Sequence, residues 1–380
     1  MRVIISGGGT GGHIYPGIAI ADALKKAFEE INQNIEILFV GAEGKMEMEK
    51  VPKAGYRVIG LPIRGLQRSF SPKNILENLK FPVRLFGSLN QARNVIKEFK
   101  PDVVVGTGGY ASGAVLQVAT TMSIPTLIQE QNGHAGLTNK ILSRQVDAIC
   151  VAYPNMESYF PKQKIQFTGN PVRSDLKNLP HAVQSDFDYF NLMKGKKTIL
   201  VMGGSGGAKV INEAILNGLE TILENDFQLI WQTGKFYIDA IKKQLAQKNL
   251  LNHPHLFVND FIYDIKKAYQ CADTVVGRAG ALTISELTLV EKPAILIPSP
   301  NVAEDHQTKN AMALAKEDAA MLIKDNEANE RLIPTLIYVL NDENQQEKLK
   351  NNIKTFARPD AAKDIARRVM ELGKLYPTIF

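Results

Sequence analysis

The 380-residue chain is short of the residues that announce several common chemistries. Its two cysteines, Cys150 and Cys271, lie far apart and have no partners at metal-ligand spacing. That excludes a disulfide framework and predicts two small, reduced core residues. No uninterrupted apolar run approaches the roughly 20 residues of a membrane span, so any membrane contact is expected to be peripheral. The N-terminus enters a strand directly, without a basic leader or cleavage site, and no signal peptide is expected. Basic residues interleaved with aromatics are missing, which argues against nucleic acid. The net charge of +6 still suits anionic lipid or phosphorylated substrates. No Gly-Lys-Ser/Thr closes a glycine loop, so the nucleotide P-loop is excluded. Asp186-Phe187-Asp188 falls in a polar connector rather than at a strand end and reads as chance. No other metal-ligand cluster appears, and neither metal nor cofactor is expected.

Apolar material is plentiful: 44% of the residues are hydrophobic and 22% charged, enough for a sizeable core. The length suggests about two domains. Strand-like runs alternate with helix-like stretches. Val3–Ser6, Ile35–Val40, Tyr56–Leu61, Val103–Gly106, Thr126–Gln129, Ala148–Ala152 and Ile165–Phe167 read as strands. A helix is expected over Ile14–Phe28, with Pro16 in its first turn, and another over Asn74–Phe99, interrupted near Pro82. This alternation predicts a parallel sheet with helices on both faces. After an irregular polar connector, Ser174 to about Lys196, the pattern restarts. Thr198–Met202 is followed by a glycine loop and a helix from Lys209 to about Leu223. Leu229–Gln232, Leu256–Val258, Thr274–Gly277 and Ala294–Ile297 read as later strands. We therefore expect an α/β chain of two Rossmann-like domains facing across a cleft, over 1–172 and 173–360. Ala361–Leu375 is amphipathic, with Ile365, Val369 and Leu372 on one stripe. Its periodicity suits packing on either domain; we expect segment 361–380 to complete the N-terminal one.

Four glycine turns follow predicted strands. Gly7, Gly8, Gly9, Gly11 and Gly12 precede His13; Gly106, Gly108 and Gly109 precede Tyr110; Gly203, Gly204, Gly206 and Gly207 flank Ser205; Gly280 follows Arg278-Ala279. Such turns bring backbone N–H groups and helix starts close to a ligand, where the dipole favours an anion. The first loop also fits a dinucleotide fingerprint, Gly7-x-Gly9-x-x-Gly12, for which Glu43 is a poor ribose ligand. Two glycine turns in each domain suit two anionic ligands, and a transferase better than a dehydrogenase. Thr283 and Glu286 read either as a capping box or as part of a nucleotide site, with Glu286 on a ribose diol. His13 reads as a general base or as an ordinary helix-start residue. His134 is open to either a functional or a structural role, and His253 and His255 look like surface loop residues. In Leu61–Leu89, Leu66, Phe70, Ile75, Leu79, Val83 and Phe86 alternate with Arg64, Arg68, Lys73, Lys80 and Arg84. This stretch reads as an anionic-membrane contact or as a hairpin covering the sheet.

Seven motifs in order then identify a resemblance. They are Gly8-Gly9-Thr10-Gly11-Gly12-His13-x-x-Pro16-Gly17; Gly108-Gly109-Tyr110-x-Ser112-Gly113; Glu130-Gln131-Asn132 with Gly136-Leu137-Thr138-Asn139-Lys140; Thr168-Gly169-Asn170-Pro171-Val172-Arg173; Gly203-Gly204-Ser205-x-Gly207-Ala208; Gly280-Ala281-Leu282-Thr283-x-Ser285-Glu286; and His306-Gln307-x-x-Asn310-Ala311. Over essentially its whole length the chain resembles the MurG family of bacterial N-acetylglucosaminyltransferases.

The resemblance implies a GT-B fold and metal-independent, inverting transfer of GlcNAc. The donor is UDP-GlcNAc. The acceptor is the 4-hydroxyl of MurNAc in undecaprenyl-pyrophosphoryl-MurNAc-pentapeptide (lipid I), and the product is lipid II for peptidoglycan. It implies a peripheral enzyme on an anionic membrane surface, at the cytoplasmic face of the bacterial inner membrane. By the same resemblance Ser205 and Arg173 meet the diphosphate or sugar, and Ile262 binds uracil through its backbone. Ala281, Leu282, Thr283, Ile284 and Ser285 line the donor, Glu286 the ribose and Gln307 the sugar. Thr10, Gly11, Gly12 and Asn132 approach the GlcNAc, while Gly9, Gly108, Gly109 and Tyr110 hold the acceptor diphosphate. His13 is the candidate base. Two positions depart from the family: Gln129 replaces a common His, so it receives no acid–base role, and Gly206 replaces a larger residue and is expected to loosen its loop. The competing classes are a related GT-B transferase with a lipid acceptor such as diacylglycerol, an NAD-dependent oxidoreductase, and a non-catalytic UDP-sugar sensor.

Overall fold

The structure is a computed structural model that describes residues 1–63, 65, 81–204, 206–302 and 305–374. The chain folds into two compact units, Met1–Arg173 with Arg358–Phe380, and Ser174–Ala357.

The first unit holds a seven-stranded sheet of β1 (Arg2–Gly7), β2 (Glu36–Ala42), β3 (Arg57–Leu61), β4 (Val103–Gly108), β5 (Thr126–Glu130), β6 (Ala148–Val151) and β7 (Ile165–Phe167). All pairings are parallel, in the order β3-β2-β1-β4-β5-β6-β7. Both faces of the sheet are covered, so its strands are continuous apolar runs instead of alternating ones. Val3, Ile4 and Ile5, and Val103, Val104 and Val105, are all buried. Their side chains divide between two cores: Ile4 and Val104 face one, Val3, Ile5, Val103 and Val105 the other.

The second unit holds β8 (Thr198–Met202), β9 (Gln228–Gln232), β10 (Leu256–Asn259), β11 (Thr274–Gly277), β12 (Ala294–Leu296) and β13 (Met321–Leu322). Its parallel sheet runs β10-β9-β8-β11-β12-β13. The two-residue edge strand β13 was not expected from sequence, because two residues show no periodicity.

Several local expectations are corrected. The first helix runs Gly11–Glu30, three residues earlier than expected, so Pro16 lies in its second turn. Proline has no N–H, so the Gly12 carbonyl receives no helical bond from residue 16. The connector is not wholly irregular: Gln184–Tyr189 is a helix whose Asp186 carboxylate accepts from the Val183 N–H at 2.9 Å. That gives one aspartate of Asp186-Phe187-Asp188 a capping role. The predicted Lys209–Leu223 helix is two, Lys209–Asn217 and Leu219–Glu224, broken at Gly218. Pro82 lies within the helix Phe81–Phe99; residues 74–80 of the expected Asn74–Phe99 helix lie outside the described set.

The last described helix, Ala361–Leu372, packs on the Gly11–Glu30 helix. Ile365, Ala366, Val369 and Met370 join the core formed by Val3, Ile5, Ile20 and Leu24. Lys363 and Arg367 remain exposed.

Candidate active site

Each sheet reverses its winding at one point, between β1 and β4 in the first unit and between β8 and β11 in the second. The loops leaving the carboxyl ends of these strand pairs diverge and leave a crevice, where open α/β sheets bind ligands. The four glycine turns are those loops. Residues about 100 positions apart in sequence are thereby neighbours: the Gly8 N–H donates to the Gly108 carbonyl at 3.3 Å. A Cβ on Gly109, which has φ +89°, would lie 2.6 Å from the Gly8 carbonyl oxygen. Glycine is required there by both conformation and approach.

A helix follows each turn: Gly11–Glu30, Tyr110–Thr121, Lys209–Asn217 and Ala281–Val290. None has a side-chain cap or an acidic residue in its first turn. Elsewhere Asp264 and Asp342 cap helices through their carboxylates. Among the described residues, these four starts thus carry no acid of their own against the positive dipole end, which favours anions. Gly280 is the N-cap of the last of these helices and Thr283 lies inside its first turn, so the capping-box reading is wrong.

His13 is half-buried at the start of the first helix. Its Nδ1 lies 3.0 Å from the Gly8 carbonyl and 3.4 Å from Thr10 Oγ1. Its own carbonyl accepts from Thr107 Oγ1 at 2.7 Å. A Cβ on Gly108 would fall 2.9 Å from His13 Nε2, so the second glycine turn makes room for the ring.

Glu47 was not singled out from sequence. It is 1% exposed and accepts from the Ala42 N–H at 2.9 Å and the Gly9 N–H at 3.1 Å. The Gly9 N–H therefore already has an acceptor in Glu47. Glu43, the weak ribose candidate, is exposed. Glu130 is a second buried carboxylate, 1% exposed. It accepts from the N–H groups of Asn132 (3.1 Å) and Gly136 (2.9 Å) and from Asn139 Nδ2 (2.8 Å). Asn132 is thus placed by the acid two residues before it. Buried Gln129 sits in an amide network: it donates to Asn170 Oδ1 at 3.1 Å and accepts from the Gln131 amide, which also donates to the Thr107 carbonyl at 2.7 Å. His134 bonds Tyr159 Oη at 2.8 Å and Lys140 Nζ at 2.9 Å. His253 and His255 are half-buried, with their rings in edge contact. Tyr110 is 45% exposed.

In the second unit a pocket of about 440 Å³ opens beside the Gly203–Ala208 loop, lined by Gly203, Gly207, Lys209, Arg278, Ser299 and Gln307 among others. Gln307 Oε1 accepts from the Ser299 N–H at 2.9 Å. Arg278 bonds the carbonyls of Ile297 and Pro298 and pairs with Asp325. Ser205 lies outside the described residues. Among the described residues, a Cβ on Gly206 would touch only the Phe236 ring, at 3.5 Å. The Ile262 N–H donates to Gln232 Oε1 at 3.0 Å, and Gln232 Nε2 donates to the Gly204 carbonyl at 3.1 Å. The expectation that Ile262 offers its backbone is narrowed, since its N–H is engaged. Glu286 is half-buried, and Tyr269 Oη donates to it at 3.0 Å.

Of the sequence-predicted residues, Gly9, Thr10, Gly11, Gly12, His13, Gly108, Gly109, Tyr110, Asn132 and Arg173 belong to the first unit. Ile262, Ala281, Leu282, Thr283, Ile284, Ser285, Glu286 and Gln307 belong to the second.

Two Rossmann-like units, each with glycine turns at its switch point, define the GT-B fold class. Residues 3–151 match the glycosyltransferase family 28 N-terminal domain, and residues 198–365 its C-terminal domain. The chain belongs to glycosyltransferase family 28 and, within it, to the MurG family that its motifs resemble. It is 50% identical, over 98% of its length and 96% of the relative's, to a UDP-N-acetylglucosamine–N-acetylmuramyl-(pentapeptide) pyrophosphoryl-undecaprenol N-acetylglucosamine transferase of Cytophaga hutchinsonii. It is 49% identical to the transferase of the same name from Bacteroides thetaiotaomicron, covering 98% of each chain. The crystal structure of Acinetobacter baumannii MurG matches with a TM-score of 0.73 at 27% identity, over 97% of this chain and 99% of that one.

Proposed function

We propose that this chain is the N-acetylglucosaminyltransferase that moves GlcNAc from UDP-GlcNAc to the 4-hydroxyl of MurNAc in lipid I, giving lipid II. The observation that carries this is half-identity, across nearly the whole chain, to transferases named for that reaction. The residues fit the chemistry. Inversion is a single displacement: the acceptor oxygen bonds the anomeric carbon as the bond to UDP breaks, and a base takes the hydroxyl proton. His13 is that base, acting through Nε2. The starts of the Lys209–Asn217 and Ala281–Val290 helices, with Arg173, stabilise charge developing on the UDP leaving group. Glu286 accepts from the ribose hydroxyls. With its N–H engaged, Ile262 is left to meet uracil N3–H through its carbonyl. The glycine turn at 108–110 and the N–H groups of Thr10 to Gly12 receive the lipid diphosphate and the sugar.

The enzyme works at an anionic membrane surface, peripherally, on the cytoplasmic face of the inner membrane. Val83 and Phe86 are 76% and 67% exposed on the Phe81–Phe99 helix, with Arg84 between them, a pattern suited to an interface. Residues 64 and 66–80, the rest of that stretch, lie outside the described set. Among the described residues, no helix is long and apolar enough to cross a membrane.

UDP release from UDP-GlcNAc tests the proposal. Release is expected with a lipid I analogue and not with diacylglycerol. Release with diacylglycerol alone would assign the related lipid transferase, and donor binding without release on any acceptor would assign a sensor.

A further inference from the structure

Glu286 lies on the helix Ala281–Val290, and Tyr269 on the helix Ile265–Cys271. The Tyr269 side chain is fully buried, yet its hydroxyl reaches Glu286 Oε2 at 3.0 Å. A buried phenol must find a partner for its O–H. Burial and the neighbouring carboxylate both hold the phenol protonated, so it is a permanent donor. A glutamate otherwise has three rotors to immobilise when it binds a ligand. Here the phenol fixes one carboxylate oxygen before any ligand arrives.

We propose that Tyr269 is a positioning residue for nucleoside recognition: it orients the Glu286 carboxylate to accept from both hydroxyls of a ribose, and so sets the preference for ribonucleoside over 2′-deoxyribonucleoside diphosphates. This rests on the reading of Glu286 as the ribose ligand. Tyr269 touches no reacting atom; it acts through Glu286. The ring is already part of the core cluster that holds Leu200 of β8 and Val275 of β11. Removing the hydroxyl alone therefore separates orientation from packing.

Calorimetric titration of the full chain with UDP and with 2′-deoxy-UDP reads the effect. Tyr269→Phe is expected to weaken UDP about tenfold, the usual weight of a hydrogen bond to a charged group. It should leave 2′-deoxy-UDP within about twofold and raise the donor KM while kcat is held. In a Glu286→Ala background it should change UDP affinity no further. Equal weakening of UDP and 2′-deoxy-UDP, or no change in either, while Glu286→Ala still weakens UDP, would overturn the positioning role and leave the ribose reading standing. Unchanged UDP affinity in Glu286→Ala itself would sink the ribose reading, and this inference with it. If Tyr269→Phe melts low, the titrations are run below its transition, where circular dichroism reads the chain as folded, and the ratio of the two affinities decides.

Discussion

The Nδ1 atom of His13 lies 3.0 Å from the carbonyl oxygen of Gly8. A carbonyl only accepts, so Nδ1 carries a proton, and in the neutral imidazole the lone pair is then on Nε2. The glycine loop thereby selects the tautomer that can act as a base through Nε2, the atom facing Gly108. His13→Ala is expected to lower kcat by at least about 100-fold, the ordinary contribution of a general base. UDP affinity should stay near wild type. Near-normal turnover in a folded variant would remove His13 from the mechanism.

Glu47 clamps the loop that carries His13. Replacing it by alanine leaves the N–H groups of Ala42 and Gly9 without their acceptor. The expected cost is about 2–4 kcal/mol, from the buried Ala42 donor and the part-buried Gly9 donor left without their acceptor. Thermal denaturation should show a midpoint lower by about 4–16 °C for a unit of this size. Glu47→Gln keeps one acceptor oxygen and should lose less. Equal midpoints for wild type and Glu47→Ala would show that the clamp does not stabilise the fold.

The juxtaposition of Gly8 and Gly109 can be tested by adding one carbon. Gly109→Ala places a methyl 2.6 Å from a backbone oxygen at φ +89°, so the turn must shift. Turnover should fall and the lipid I KM should rise. UDP binding, assigned to the other unit, should be unchanged by calorimetry. A variant with normal acceptor kinetics would contradict the place of this turn in the acceptor site.

Trp231 is the chain's single tryptophan, fully buried in the second unit, with its indole N–H donating to Asn212 Oδ1 at 3.0 Å. Its fluorescence reports unfolding of that unit. UDP at about 100 times its Kd adds about 2.7 kcal/mol to whichever unit binds it. The tryptophan transition should then move up by about 5–10 °C. An unmoved tryptophan transition in the presence of bound UDP would place the nucleotide outside Ser174–Ala357.

Burial pushes the thiols of Cys150 and Cys271 up to about 12 from an ordinary 9.0. At pH 8 only about one thiol in 10,000 would be ionised, so iodoacetamide should leave the native chain unlabelled and alkylate both cysteines in guanidinium. The same shifts give stability a pH dependence. A thiol whose folded pKa is raised favours the folded state while the unfolded thiol is still protonated. That contribution is fully present below pH 9.0 and is lost as pH rises from there towards about 12. The melting temperature should decline over that window, and less steeply in Cys150→Ala. Labelling of the native chain at pH 8 would show that the burial is not maintained in solution.

Much of the fold was legible because strands buried on both faces must be continuous apolar runs, as in Val103-Val104-Val105 and Thr198–Met202. The two strand–glycine–helix openings were equally plain, since few other uses justify so many glycines after a buried strand. The boundaries were less so. The first helix begins at Gly11, where poor helix-formers conceal the start, and β13 is too short for any pattern. The sequence also placed His13 and Glu286 as candidates, because a histidine and an acid beside glycine turns are distinctive.

By itself, then, the sequence determined the layered α/β units and the four anion-seeking turns, since hydrophobic periodicity and glycine content act over short separations. Tertiary structure decided what depends on contacts between distant residues. It set Gly8 against Gly109, gave the Gly9 N–H to Glu47, and gave the Ile262 N–H to Gln232. It packed the Ala361–Leu372 helix on the first unit and brought the Tyr269 hydroxyl to Glu286. Hydrogen bonds and close approaches of this kind are fixed by sheet order, and no local pattern in the chain encodes which partner a buried polar group will meet.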